Sequence, residues 1–166
     1  MKLIKLIAAL ALGVTSLSST ASLYNDHYTL AVIQNPRINN DISDGNYANI
    51  VSQLAKAAKP SADERYENSM SLCAANIKLN DIITAGEVCD KAVSMIEQSR
   101  GYSRTSKKSK YKALALNNRA IVKHLSNDNQ GAYQDFNQAL GLDNSPLIIA
   151  NFSHFSSQMM GEQFAK

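Results

Sequence analysis

The chain is predicted to be all-α, an array of antiparallel helical hairpins, and three observations predict it. Within residues 113–144, Ala115, Leu116, Ala120 and Ile121 recur at helical spacing, Ser126, Asn127, Asp128 and Asn129 break the pattern, and Ala132, Tyr133, Phe136, Ala139 and Leu140 resume it. Residues 66–97 repeat the arrangement. Leu72, Cys73, Ile77 and Leu79 mark one helix, residues 78–81 a turn, and Ala85, Val88, Cys89, Ala92 and Val93 the facing helix. The two stretches also share internal spacing: Cys73 falls where Ala120 falls, Ala85 where Ala132 falls, Cys89 where Phe136 falls, and Ala92 where Ala139 falls.

Small residues stand where two helices would approach, and Phe136 fills the space between them. The pattern resembles a tetratricopeptide repeat, in which each unit of about 34 residues is one helical hairpin stacked on the next. Such a unit cannot bury its apolar face alone, so neighbouring units are expected. A third partial copy lies at residues 146–155, where residues 150–153 resemble residues 117–120, placed 33 positions earlier. A fourth fragment, residues 44–47 before Ile50, Leu54 and Ala57, looks like a turn and second helix. The resemblance implies a short right-handed array over residues 44–166, about two full repeats plus partial flanking ones. Asn144 stands where the family usually has a proline after the second helix.

The elements follow in chain order. Lys2 and Lys5 open a basic start, residues 6–14 are an uncharged apolar core, and Ser19, Thr20 and Ala21 form a small-residue cleavage pattern. Residues 1–21 are therefore expected to be a signal peptide, its apolar run short of the ~20 residues that span a bilayer. No cysteine follows it to carry a lipid anchor. Without Lys2 and Lys5 the formal charge falls from +3 to +1, so the exported chain is near neutral. It would be one domain with no membrane span.

Residues 22–43 are expected to form an extended or poorly ordered N-terminal arm on the first helices. Residues 28–33 are β-prone, and Asn35-Pro36 disfavours helix. A loop surrounds Gly45, a helix runs over residues 47–59 to Pro60, and Ser61 caps the next, with Asp63 and Glu64 in its first turn.

Between the two full hairpins the period is exceeded by about 13 residues. The excess falls in a basic insertion, residues 98–112, where Arg100, Arg104, Lys107, Lys108, Lys110 and Lys112 occur without an acidic residue from 100 to 112. Gly101 and the serines suggest a loop; alternatively the flanking helices are longer than usual. The segment reads as a solvated linker, or as an anion-binding patch for an acidic envelope polymer. Nucleic acid is disfavoured for a near-neutral exported chain.

Cys73 and Cys89 are an even pair in an exported chain, which favours a disulfide over two buried thiols. Facing helices in the hairpin bring such Cα atoms within the ~4–6 Å that a disulfide needs. A catalytic dithiol is disfavoured, because the spacing is not CysXxxXxxCys.

The search for chemistry yields little. His27, His124 and His154 lack metal-ligand spacing, no nucleophile elbow or phosphate loop is present, and no cofactor is implied. The candidate site is instead the groove lined by the first helix of each hairpin: Asn117, Asn118, Ile121, His124 and His154. The family resemblance implies that asparagines at this place hold a peptide backbone or a terminal carboxylate, with one of Asn117 and Asn118 structural. Glu67 and Met70 occupy the comparable face upstream, which argues against a basic carboxylate clamp. Asn117 and His124 are expected to face the groove and to matter little for stability, whereas Ala120 should pack against the second helix. Asn151-Phe152-Ser153 fits a glycosylation sequon, but its apolar helix argues against use.

Together these features point to an exported protein–protein interaction module, not an enzyme, with a protein partner in its groove. The alternatives are a small exported helical enzyme or enzyme inhibitor, and an envelope-adhering protein using residues 100–112.

Overall fold

The computed structural model describes residues 27–33, 35, 37–56, 60–99 and 105–164. The signal peptide expected over residues 1–21, and Arg100 and Arg104, lie outside these. Among the described residues the secondary structure is entirely helical: α1 (Asn39–Ser43), α2 (Tyr47–Ala55), α3 (Ala62–Lys78), α4 (Ile82–Gln98), α5 (Thr105–Leu125), α6 (Asn129–Leu142) and α7 (Pro146–Phe164).

Local chemistry sets the helix starts. Ser61 accepts the Glu64 N–H while the Glu64 carboxylate accepts the Ser61 N–H, a reciprocal cap that holds the Glu64 carboxyl below its usual range, most strongly through that backbone bond. Asp81 caps α4 by accepting from Thr84 N–H, and Asp128 caps α6 by accepting from Gly131 N–H. The residue before each of these aspartates is an asparagine in the left-handed region, Asn80 at φ 59° and Asn127 at φ 64°. Asparagine tolerates that conformation better than most residues. The two turns also share hydrogen bonds: Asn80 N–H to Ile77 O and Asp81 N–H to Asn76 O, matched by Asn127 N–H to His124 O and Asp128 N–H to Lys123 O.

Helices α3 and α4 form one hairpin, α5 and α6 the next, and α7 follows. Helix α5 packs against both α3 and α4, and α7 against both α5 and α6. α3, α5 and α7 together form the face that the N-terminal arm lies against, the inner wall of the array. Ala85, Cys89, Ala120, Ala132 and Phe136 are fully buried at the helix contacts. The Cys73–Cys89 disulfide joins α3 to α4 with Cα atoms 5.0 Å apart. An ionic knot links α4, α5 and α6: Arg119 donates Nε and Nη2 to the buried Asp135 carboxylate at 2.7 and 2.8 Å, Lys123 reaches it at 2.9 Å, and Arg119 also meets Asp90.

Three boundaries differ from expectation. α1 forms within residues 22–43, because Asn35 and the fully buried Ile38 anchor a turn there. α2 ends at Ala55, with Lys56 as its C-cap. The basic insertion contributes to α5 from Thr105 onward, which is the longer-helix alternative. That extension packs: Tyr66, fully buried, donates to Tyr111 O at 2.8 Å and stacks on its ring. Lys108 donates to Glu97 O and Ser99 O at the end of α4, and Lys112 pairs with Glu97 at 2.7 Å. Lys107 lies over the Tyr111 ring, and Lys110 is exposed.

Candidate functional site

An extended segment of the chain itself crosses the inner wall. Residues 27–33 run past α7 and α5, and Asn35 reaches α3. The expectation placed this arm on the first helices; it extends across the array because three inner helices offer it asparagine side chains. Asn151 of α7 accepts the Thr29 N–H at 2.9 Å and donates to Thr29 O at 2.8 Å. Asn118 of α5 accepts the Ala31 N–H at 2.8 Å and donates to Ala31 O at 2.7 Å. Asn68 of α3 accepts from the Asn35 side-chain amide at 2.9 Å. A primary amide matches the donor and acceptor of one residue in an extended chain, so Asn118 and Asn151 read backbone without regard to side chain.

Asn117 ties the two clamps together. It donates to Asn118 Oδ1 at 3.2 Å and accepts from Asn151 Nδ2 at 2.9 Å. Asn117, Asn118 and Asn151 are all essentially inaccessible. The expectation that Asn117 faces an open groove is thus corrected: the arm covers that wall, and Asn117 orients its neighbours from beneath. Ile121 is likewise fully buried, in the core with Ala120, Phe136 and Phe155.

All three histidines gather at the arm's start. Tyr28 is buried with the His124 and His154 rings edge-on to its own, and the His27 ring lies 5.2 Å from that of His154. Gln158 organises them: its carbonyl accepts from Tyr28 OH at 3.2 Å and lies 2.7 Å from His124 Nε2, while its amide nitrogen lies 2.7 Å from His154 Nε2. His154 Nε2 must therefore accept, which requires the neutral ring. Burial, then the nearby His27 and His124, pushes the His154 pKa down. His124 also meets Asn129 Oδ1 at 2.7 Å and is buried, so the expected indifference of stability to its replacement is corrected too.

A groove of about 290 Å3 lies beside the arm. Tyr28, Thr29, Leu30 and Val32 line it from the arm, Ile42, Tyr47 and Ile50 from α1 and α2, and Ser71, Ala74, Ala75 and Lys78 from α3. Among the described residues no group of three or more His, Cys, Asp or Glu is placed to hold a metal, and no helix is long and apolar enough to cross a membrane.

Asn151 is the site residue that sequence reasoning missed as a clamp. Its signal was the 33-residue spacing from Asn118, visible only as part of a partial repeat. Comparison with protein-family models, curated proteins and solved structures finds no match to this chain.

Proposed function

We propose that the protein is a non-catalytic interaction module, a tetratricopeptide-like helical array that holds an extended segment of a partner protein along its inner wall. The observation that carries this reading is the pair of backbone-reading amides, Asn118 and Asn151, already engaged with an extended polypeptide in cis. A wall suited to extended chain, with an apolar groove still open beside the arm, suits a protein ligand better than a small polar substrate. The matched hairpin turns and the buried small residues at Cys73, Ala85, Ala92, Ala120, Ala132 and Ala139 support the repeat reading. The disulfide fits an exported protein acting outside the reducing cytosol. The lysines of the basic insertion favour an acidic polymer less, because Lys108 and Lys112 are spent on the end of α4.

The test is photo-crosslinking in the producing cell, with the reactive residue at Val32 beside the groove or at Ile83 on the outer helix α4, both exposed. A polypeptide adduct from Val32 and not from Ile83 is expected. Absence of any adduct at Val32, or equal adducts at both, overturns the proposal.

A further inference from the structure

In an extended chain, alternate residues turn their N–H and C=O groups to opposite edges. Thr29 and Ala31 turn theirs to Asn151 and Asn118. Leu30 and Val32 must then present theirs to the other edge. Among the described residues, the N–H and C=O groups of Leu30 and Val32 make no hydrogen bond. The groove of about 290 Å3 lies beside the arm, lined on the arm's side by Tyr28, Thr29, Leu30 and Val32. Its far wall, Ile42, Tyr47 and Ile50, is apolar, and its floor is the small Ser71, Ala74 and Ala75 with Lys78 at the rim. An edge of unpaired backbone beside an apolar trough is the arrangement that strand addition uses: main-chain bonds supply affinity and alternate side chains fill the trough.

We infer that the arm is one half of a two-stranded site, and that the partner's extended segment pairs with the free edge at Leu30 and Val32 instead of displacing the arm. The inference rests on the proposed protein-binding role for its choice of partner. It adds the mode, strand addition to a strand that the helices hold. The ligand class is an extended segment with apolar side chains at alternate positions, which fit against Ile42, Tyr47 and Ile50, and polar ones between.

The probe is a hexapeptide with blocked ends, alternating threonine and valine, titrated into the full chain by amide NMR. Saturable shifts at the Leu30 and Val32 amides are expected, and the same peptide N-methylated at every residue should bind at least tenfold more weakly. Val32→Pro removes one edge donor while suiting an extended residue 31, so the arm should stay docked and peptide affinity fall at least tenfold. Equal binding of the N-methylated peptide overturns the inference without relying on any variant. So does loss of the Thr29 and Ala31 amide signals on binding, which would mean that the peptide displaces the arm. A concentration-dependent dimer abolished by Val32→Pro also overturns it, assigning the edge to a second copy of the chain. An adduct at Val32 in the cell together with equal N-methyl binding would remove this mode and leave the proposed function standing.

Discussion

Asn118 is where one side chain decides most. Its amide satisfies both backbone groups of Ala31 in a buried place, so Asn118→Ala leaves a donor and an acceptor without partners. A cost of about 1–3 kcal/mol is expected, measured by denaturant unfolding. Asn117→Ala should fall in the same range of ~1–3 kcal/mol, because it strips a bond from each clamp. Helical periodicity and the repeat resemblance made Asn117 a groove residue, for neither can see an arm from 87 residues upstream reaching Asn118 next door. His154 contributes a pH dependence near neutrality. Its folded pKa lies below the ordinary 6.5, through burial and then the charge of His27 and His124. As pH falls below 6.5 the unfolded chain takes the proton first, so stability drops through the window between 6.5 and the lowered folded value, then levels. Protonation also removes the acceptor that Gln158 uses. Melting temperature should therefore fall on acidification from neutral pH to about pH 5, and His154→Gln should flatten that response.

Between helices, small residues and one buried carboxylate set the packing. Ala120 is fully buried in the cluster holding Ala132 and Phe136. Ala120→Leu should cost about 1–3 kcal/mol by overpacking, read as a lowered unfolding midpoint. Asp135 differs in kind. Its carboxylate neutralises Arg119 and Lys123 across α5 and α6, so Asp135→Ala leaves two cations facing a buried gap and should cost ~3–5 kcal/mol. Asp90, mostly exposed, holds the same arginine from α4, and Asp90→Ala should cost no more than about 1 kcal/mol. The hairpins were legible because periodicity and turn chemistry are local; the knot was not, because Arg119 and Asp135 lie 16 residues apart on different helices.

Across the whole molecule the arm fastens the array, meeting α7, α5 and α3 in turn through Asn151, Asn118 and Asn68. Because Asn117 bridges two of these clamps, their losses should not add. A double-mutant cycle of Asn118→Ala and Asn151→Ala is expected to give an interaction energy of ~0.5–3 kcal/mol, whereas additivity would mean that each clamp acts alone. The sequence by itself determined the helices of the two hairpins, the Ser61 cap and the pairing of Cys73 with Cys89. Each follows from spacing, capping chemistry or cysteine count within a few turns of chain. Only the tertiary structure decided that the β-prone run at residues 28–33 crosses the inner wall, and that Asn118 and Asn151 hold it. Backbone polar groups must find partners wherever the fold buries them, and those partners are chosen by proximity in space.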